Sequence, residues 1–374
     1  MQVARVKRTI AVLAGDGIGP EVTAAAVRVL RATIPGLTFV DAPVGAAAMK
    51  SDGVPLPDAT LAAAHAAGAI LFGAVGGPGF DGAPPHLRPE AALLALRRTF
   101  GLYANVRPAR VVPGLEHRSP LREERVRGMD CVIVRELTGG LYFGNKQLDG
   151  EPGARVARDE LVYREDEIAR IARFAFALAR SRRKHVTSVD KNNVLISSQL
   201  WRSVVIEVAA EFADVTLDHL LVDNAAMQLV GSPARFDVIL TENMFGDILS
   251  DEAAMITGTI GTAASASLGG PPDAHGFGLY EPISGTAPDI AGRGIANPAA
   301  AILSAALLAR HSLGEPDAAW RIERAVDDAL AGENPVRTAD LADTNPASTE
   351  AFADAVIERL PPPVAGDAAL RLGV

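Results

Sequence analysis

Short runs of β-branched and aliphatic residues alternate with longer segments of helical periodicity, and this alternation constrains the fold most strongly. The first run, from Thr9 to Leu13, is a predicted strand, and Pro20 then begins a segment whose apolar residues recur at helical spacing. Strand–helix–strand repetition is typical of α/β proteins with a largely parallel sheet. Further strands are predicted at 38–40, 69–72, 130–134, 186–189, 216–221 and 238–240, and helices at 58–67, 89–100, 165–183, 198–212, 298–313 and 320–330.

The amino-acid composition is that of a globular protein and excludes several kinds of partner. The 374 residues carry a net charge of −9, and 48% of them are hydrophobic while 22% are charged. This balance excludes a disordered chain. The length suggests two domains or one large α/β domain. An acidic chain without a basic stripe repels phosphate backbones, so we expect no nucleic-acid partner.

The single cysteine and the lengths of the apolar runs bear on the cellular compartment. Cys131 lies in an apolar run and has no partner for an intramolecular disulfide or a cysteine-type zinc site, which indicates a core residue in a reducing compartment. No run reaches the roughly 18 apolar residues of a membrane span. Asp16 interrupts the first apolar stretch too early for a signal peptide. We therefore expect a cytoplasmic protein without membrane contact.

The glycine-rich turn after the first strand superficially suggests a dinucleotide-binding fingerprint. Gly15, Gly17 and Gly19 are followed by Asp41 about 20 residues further along the chain, which is the usual sequence spacing of a ribose-binding acid. The pattern fails because Pro20 follows Gly19 directly and the third glycine of G-x-G-x-x-G is missing. A tight turn into a helix is favoured over a phosphate-binding loop by roughly two to one.

Two carboxylates in the segment 245–252 form a candidate metal site. Asp247 and Asp251 are four residues apart, so on a helix they lie on one face and repel each other. Mg²⁺ or Mn²⁺ would offset that repulsion, since both prefer oxygen ligands. An isolated pair of this kind is more often a solvated acidic face. Apolar neighbours such as Leu249 instead suggest a buried helix, in which carboxylates need partners.

Basic residues and one tyrosine form a second candidate cluster. Arg97, Arg107 and Arg135 each follow or end an apolar run, and three guanidinium groups would suit a dicarboxylate ligand. Lys191 comes directly after a predicted strand, where burial can turn a lysine into a base. Tyr142 is flanked by glycines that allow close approach to a ligand. Each of these residues alone is more often an ordinary surface, ion-pair or turn residue.

Taken together, these segments resemble the β-decarboxylating hydroxyacid dehydrogenases, the family of isocitrate and isopropylmalate dehydrogenases. The resemblance runs in family order from about residue 8 to residue 313. It is carried by GDGIGPE (15–21), LYANVRP (102–108), RELTGGLYFG (135–144), SVDKNNVL (188–195), VDNAAMQL (222–229), FGDILSDE (245–252), YEPISGTAPDIA (280–291) and GIANP (294–298).

The resemblance implies a fold and an assembly. The fold would be doubly wound α/β, with a cofactor-binding domain made of residues 1–102 and 258–374. Residues 103–257 would form an inserted domain for substrate and metal binding and for dimerisation. Members of the family are similar homodimers with shared active sites, and residues 144–158 would form an arm between the subunits.

The resemblance also implies residue roles. Arg97, Arg107 and Arg135 would bind the carboxylates of a malate. Asp247 and Asp251, together with Asp223 of the second subunit, would bind Mg²⁺ or Mn²⁺, and Asp223 would also contact the substrate. The catalytic residues would be Lys191, again from the second subunit, which takes the hydroxyl proton, and Tyr142, which protonates the enolate.

Two further segments bear on substrate and cofactor choice within the family. Glu90, Leu93 and Leu94 share a helical face with Arg97 and would contact an alkyl group and the nicotinamide. Apolar side chains there would favour an isopropyl group over a carboxylate. Asp289 and Ile290 match the NAD pattern, since a carboxylate at this point would repel a 2′-phosphate. The other cofactor-binding residues implied are Gly285, Ala287 and Asn297.

The expected activity is therefore NAD- and Mg²⁺- or Mn²⁺-dependent oxidative decarboxylation of (2R,3S)-3-isopropylmalate to 4-methyl-2-oxopentanoate, CO₂ and NADH, in leucine biosynthesis. One alternative is another 3-substituted malate, such as tartrate, homoisocitrate or a longer 3-alkylmalate. A catalytically silent dimeric binding protein is an alternative from another class. The segment Thr262–Ala263–Ala264 and Ser284 depart from the family pattern near the expected cofactor crevice.

Overall fold

The computed structural model describes residues 7–80 and 82–363. A ten-stranded sheet runs through them in the order β2-β1-β3-β12-β11-β4-β5-β10-β8-β9, and β6 pairs only with β7. The strands are β1 (Thr9–Gly15), β2 (Thr38–Asp41), β3 (Ala69–Ala74), β4 (Ala104–Arg110), β5 (Asp130–Glu136), β6 (Lys146–Asp149), β7 (Val156–Asp159), β8 (His185–Asp190), β9 (Thr216–Leu221), β10 (Val238–Thr241), β11 (Ala264–Leu268) and β12 (Gly278–Pro282).

The sheet consists of two parallel blocks joined by antiparallel strands. β2, β1, β3 and β12 pair in parallel, and so do β5, β10, β8 and β9. β11 and β4 lie between the blocks and pair antiparallel with each other and with their outer neighbours. The prediction of a largely parallel α/β sheet is confirmed. The antiparallel centre was not predicted, because strand direction depends on long-range pairing.

Helices cover both faces of the sheet. They are α1 (Gly19–Thr33), α2 (Gly45–Asp52), α3 (Asp58–Ala66), α4 (Ala91–Thr99), α5 (Glu123–Val126), α6 (Glu165–Arg180), α7 (Ile196–Ala209), α8 (Val222–Gly231), α9 (Asn243–Ile256), α10 (Ala299–His311), α11 (Pro316–Ala331) and α12 (Thr349–Glu358). Successive residues of β1 belong to different hydrophobic clusters, Ile10 to one and Ala11 to another. Because side chains alternate along a strand, both faces are buried, as in a doubly wound fold.

Helix ends differ from the predicted ones by a few residues. α11 begins at Pro316 rather than at 320, because proline is favoured in the first turn of a helix even where apolar periodicity has not yet begun. α7 begins at Ile196, two residues early, and ends three residues early at Ala209.

Among the described residues, no helix is both long and apolar enough to cross a lipid bilayer. The cytoplasmic location stays a prediction.

The predicted arm is a separate β-hairpin. β6 and β7 pair only with each other, and the residues of β7 are all exposed. The hairpin therefore stands apart from the main sheet, as predicted for residues 144–158, and its contact with a second subunit stays a prediction. The last dozen or so residues, which include Pro361, Pro362 and Pro363, are predicted from the sequence to form a loose tail, and from position 364 onward they lie outside the described residues.

The glycine-rich turn holds two loops together. Gly17 has a φ of +58°, and a Cβ at that position would lie 2.0 Å from the carbonyl oxygen of Thr286. The carboxylate of Asp16 accepts hydrogen bonds from the backbone N–H groups of Ala46 and Ala47 at 2.8 Å and of Gly76 at 3.0 Å. These contacts agree with the prediction of a tight turn into a helix.

Candidate active site

A row of polar side chains crosses one face of the central strands. Residues paired across a sheet point to the same face, and Asn105 of β4 is paired with Ser267 of β11 and with Arg135 of β5. The Asn105 amide donates hydrogen bonds to Ser267 at 3.3 Å and to Ser265 at 2.9 Å. This face therefore places polar groups in the middle of an apolar sheet.

Two arginines on this face meet the two carboxylates of α9. Arg135 forms a hydrogen-bonded ion pair with Asp247. Nη1 of Arg107 lies 3.3 Å from Asp251 and 3.6 Å from Asp247. The hydroxyl of Tyr142 donates to the second oxygen of Asp247 at 3.0 Å. The structure thus brings together five of the predicted site residues.

Neighbouring amide and hydroxyl groups orient the two guanidinium groups. The side-chain oxygen of Asn243 accepts from Nε and Nη2 of Arg135 at 2.9 and 2.8 Å. Arg107 donates to the side-chain oxygen of Asn105 at 2.7 Å and to the hydroxyl of Ser250 at 2.6 Å. These bonds leave little rotational freedom, so the guanidinium planes are set before any ligand binds.

Arg97 reaches the same face from α4. It forms a buried ion pair of 2.9 Å with Glu281 of β12, and its Nε has no hydrogen-bond partner among the described residues. Glu90, Leu93 and Leu94 precede it on α4 or at its N-cap, and the side chain of Leu94 is exposed. The helical face predicted from the sequence is therefore present beside the arginines.

Burial and like charge shift the pKa values of these groups. Burial, followed by the positive charge of Arg107, lowers the pKa of Arg135 to about 10. Burial also lowers the pKa of Arg107 and raises that of Asp251. Burial and the neighbouring Asp247 carboxylate raise the pKa of Tyr142, so its phenol keeps its proton at neutral pH. The site therefore favours a bound anion beside the two buried cations.

Lys191 and Asp223 form a second, separate pair. Lys191 follows β8, Asp223 lies in the first turn of α8, and their side chains form an ion pair of 2.5 Å. The hydrogen bond from Lys191 lowers the pKa of Asp223. Among the residues that the structure describes, no three His, Cys, Asp or Glu side chains are arranged to hold a metal ion. One chain therefore does not join Asp223 to Asp247 and Asp251.

The prediction that α9 is a buried helix is wrong in part. Leu249 and Ala253 are buried, but Ile248 and Met255 are 59% and 54% exposed. The Asp251 side chain is 61% exposed as well. Apolar composition alone does not distinguish a buried helix from one that keeps an apolar stripe on its outer face.

The donor set of α9 fits a divalent cation. One oxygen of Asp247 and one of Asp251 converge on the same Arg107 nitrogen, so the two carboxylates already face a common positive charge. Hard oxygen donors of this kind suit Mg²⁺ or Mn²⁺, which also need further ligands from substrate, water or another carboxylate.

The predicted cofactor-binding residues lie on one loop after β12 and at the start of α10. The carbonyl oxygen of Thr286 accepts a bond from the Ile18 N–H at 2.9 Å, which fixes the loop of Gly285, Ala287, Asp289 and Ile290 against the glycine turn. Asp289 is exposed and makes no hydrogen bond or ion pair within the described ranges. Asn297 donates to Asp340 at 2.9 Å.

Sequence reasoning missed the supporting residues. Glu281, Asn243 and Ser250 pair with the arginines although they are 108 to 184 residues away in the chain. For the polar face of the sheet there was a local signal. Polar residues occupy alternate positions in two strands, Asn105 and Arg107 in one and Ser265 and Ser267 in the other, which predicts a polar strand face.

The fold is that of a known class of dehydrogenase. The chain belongs to the isocitrate/isopropylmalate dehydrogenase family, whose model matches residues 9–356. The resemblance inferred from the sequence motifs is therefore confirmed, and so are the fold class and the assignment to the dehydrogenases.

Curated relatives match nearly the whole chain. One from Geobacillus kaustophilus, named 3-isopropylmalate dehydrogenase, is 56% identical over 342 residues, covering 89% of this chain and 90% of its own length. Relatives with the same name from Novosphingobium aromaticivorans and Bordetella avium are 55% and 54% identical, covering 94% of this chain and 99% of their own lengths.

Solved structures share the fold. An isocitrate dehydrogenase from Methylococcus capsulatus superposes with a TM-score of 0.84 at 38% identity, covering 94% of this chain and 99% of its own. A β-decarboxylating dehydrogenase from Thermococcus kodakarensis in the apo form gives a TM-score of 0.78 at 38% identity, covering 94% of this chain and 96% of its own.

Proposed function

We propose that this chain catalyses the NAD- and divalent-metal-dependent oxidative decarboxylation of (2R,3S)-3-isopropylmalate to 4-methyl-2-oxopentanoate, CO₂ and NADH, a step of leucine biosynthesis. The names of relatives that are 54–56% identical over nearly the whole chain support this substrate. The single observation that carries the chemistry is the convergence of Arg107 and Arg135 with Asp247 and Asp251 on one sheet face.

Three guanidinium groups bind the two carboxylates of the substrate. Arg107 and Arg135 are buried and already oriented by amide groups, and Arg97 has an unpaired Nε that can donate to a ligand. Charge-assisted, bidentate contacts of this kind are the strongest that a carboxylate can receive. The substrate then takes over part of the negative charge that Asp247 and Asp251 supply in the ligand-free chain.

Asp247 and Asp251 hold the divalent metal together with Asp223 of a second subunit. When bound, Mg²⁺ or Mn²⁺ supplies Lewis-acid polarisation of the substrate oxygen at C2. Both carboxylates of α9 are partly exposed, so they are accessible to a cation once substrate has bound the arginines.

Two side chains of the protein move protons. Lys191 of the second subunit would accept the proton of the substrate hydroxyl as C2 is oxidised, and NAD, when bound, would supply the hydride acceptor. After CO₂ has left, Tyr142 donates a proton to C3. Tyr142 holds its phenolic proton at neutral pH, as a proton donor must, and its hydroxyl lies 3.0 Å from Asp247 in the site.

The loop after β12 would hold NAD. Asp289, Ile290, Gly285, Ala287 and Asn297 would contact it. The free carboxylate of Asp289 accepts hydrogen bonds from the ribose hydroxyls and repels the 2′-phosphate of NADP. The alkyl group of the substrate contacts Leu93 and Leu94, and Glu90 lies at the same end of α4.

The active unit is a homodimer. Met227 and Val230 of α8 and Ile248 and Met255 of α9 are exposed, and these two helices pack side by side. We call these four residues the apolar face. Exposed apolar surface of this kind is typical of a subunit interface. The apolar face adjoins both Asp251 and the helix that carries Asp223, so a second copy seated there would bring Lys191 and Asp223 to the α9 carboxylates.

The chain divides into two domains within the one sheet. Strands β2, β1, β3, β12 and β11 come from residues 1–102 and 258–374, and strands β4, β5, β10, β8 and β9 come from residues 103–257. Across the sheet, strands of one proposed domain therefore meet strands of the other at a single place, between β11 and β4. This arrangement supports the proposed boundary.

Steady-state turnover on a panel of malates tests the proposal. We expect NADH formation with 3-isopropylmalate, dependence on Mn²⁺ or Mg²⁺, and much slower turnover with isocitrate, tartrate, homoisocitrate or NADP. A faster rate with isocitrate would contradict the apolar pocket of Leu93 and Leu94. Absence of turnover with every 3-substituted malate would exclude the proposed dehydrogenase activity.

A further inference from the structure

A second cleft, of about 230 Å³, lies between the sheet and helices α10 and α11. Its floor includes Pro108 and Arg110 of β4 and Ala264 of β11. Pro108 and Arg110 alternate with Asn105 and Arg107 along β4, so they point to the opposite face of the sheet from the proposed active site. The floor of this cleft and the proposed active site therefore lie on opposite faces of β4, and Ala254 near the C-terminal end of α9 also borders the cleft.

Small side chains create the space in this cleft. Ala254, Thr262 and Ala263 line one wall, and two of these belong to the segment that departs from the family pattern. Leu303, Leu307 and the half-buried Trp320 line the facing wall. The segment 262–264 therefore borders this cleft, and the neighbouring Gly261 lies close to Asn297. The walls are apolar and include one aromatic ring.

The charges around the cleft leave one cation without a partner. Four of the five lining charges are in ion pairs: Arg110 with Asp327 at 2.6 Å, Asp130 with Arg182 at 2.9 Å and Glu323 with Arg310 at 2.8 Å. Arg324 also lines the cleft and is exposed, and it makes no hydrogen bond or ion pair with any residue the structure describes. Each of the four paired charges is compensated by its ion-pair partner, and Arg324 is the one lining charge that lacks such a partner among the described residues.

We propose that this cleft binds a small apolar monocarboxylate. The hydrocarbon part lies against Trp320, Leu303 and Leu307, and the carboxylate accepts charge-assisted hydrogen bonds from Arg324. The volume is below the roughly 300–1,000 Å³ of sites for drug-sized ligands, which excludes a dinucleotide and favours a short branched acyl chain. The inference does not depend on the proposed dehydrogenase activity.

The test uses 4-methylpentanoate as the probe and the full-length protein labelled with 5-fluorotryptophan. The chain has two tryptophans, and Trp201 is buried against Tyr163, away from the cleft lining. We expect 4-methylpentanoate to shift only the fluorine resonance of Trp320, which W320F identifies by its loss. The Trp201 resonance reports that each variant is folded.

Matched variants and a neutral ligand test whether the charges of Arg324 and of the ligand carboxylate contribute to binding. R324Q should weaken binding about tenfold or more, as expected when a charge-assisted hydrogen bond is lost. R127Q removes an exposed arginine outside the cleft lining and should leave the dissociation constant unchanged. 4-Methylpentanamide should bind about tenfold more weakly than the acid, by the same reasoning.

Three results would overturn the proposal: no shift of the Trp320 resonance, equal binding of the acid by R324Q and the unsubstituted protein, or equal binding of acid and amide. None of these readouts requires turnover, so a failed malate assay and a failed binding test are distinguishable.

Discussion

At the scale of single residues, the proposed active site balances charges that would be costly alone. Arg107 and Arg135 are buried cations, and Asp247 and Asp251 compensate them in the ligand-free chain. Leaving a buried charge unpaired strongly destabilises a protein. The groups proposed to bind substrate and metal therefore also stabilise one another within the chain.

Substitution of Lys191 by methionine separates proton transfer from binding. Lys191→Met keeps the approximate length of the side chain but removes the amine, so we expect turnover to fall by about 10² or more, the usual contribution of a general base. Binding of 3-isopropylmalate, measured by calorimetry, should stay within a few-fold. Undiminished kcat would contradict the role of Lys191 as the base.

His311 makes stability depend on pH. Burial lowers the pKa of His311 to about 4, and its Nδ1 donates to the Pro272 carbonyl. The unfolded chain, with a pKa of about 6.5, binds more protons between pH 6.5 and 4, so the free energy of unfolding falls as the pH drops through this window. From pH 7 to pH 5, the free energy of unfolding of the unsubstituted protein should fall by about 2 kcal/mol more than that of H311Q, as measured by urea denaturation. Equal pH dependence of the two proteins would contradict the buried neutral imidazole.

At the scale of elements, the glycine turn and the loop after β12 act as one unit. Gly17 lies against the Thr286 carbonyl, and the Ile18 N–H binds the same oxygen. The turn therefore positions the loop that carries Asp289.

Gly17→Ala should displace that loop. The added Cβ would lie 2.0 Å from a backbone oxygen. Alanine would also be strained by the positive φ at this position. Gly36 has a φ of +78° but nothing within 4 Å of its absent Cβ, so Gly36→Ala is the matched control. Both variants should lose about 1–2 kcal/mol for the backbone conformation.

Only the Gly17 variant should lose further stability and raise the KM for NAD. Urea denaturation and steady-state kinetics measure the two effects. An unchanged KM for NAD in G17A would separate the turn from cofactor binding.

At the scale of the whole molecule, the proposed catalyst needs two copies of the chain. Lys191 and Asp223 pair with each other rather than with Asp247 and Asp251, and the apolar face on α8 and α9 adjoins both pairs. A single chain thus contains all the proposed groups but keeps them in two places.

Hybrid dimers of two inactive variants test the shared site. K191M and D251N homodimers should both be inactive. In a hybrid, one site combines the intact Asp251 of one chain with the intact Lys191 of the other, so purified, differently tagged hybrids should regain about half of the normal activity, since one of two shared sites is whole. If Lys191 served its own chain's Asp251, each hybrid site would lack one group and no activity would return.

Local patterns determined much of this protein. Apolar periodicity predicted most strands and helices, the four-residue spacing placed Asp247 and Asp251 on one helix face, and the missing third glycine favoured a tight turn over a Rossmann-type phosphate loop. These features depend on neighbours within a few residues, which the sequence displays directly. Family motifs extended the prediction to the arginines, which the structure brings to one sheet face.

Only the tertiary structure decided the antiparallel centre of the sheet, the partners of the arginines and the exposure of α9. Glu281 meets Arg97 across 184 residues, and Asn243 meets Arg135 across 108. The second cleft likewise depends on α10 and α11 facing β4 and β11. Such contacts arise from strand order and packing, and residue spacing along the chain carries no information about which distant side chains a sheet brings together.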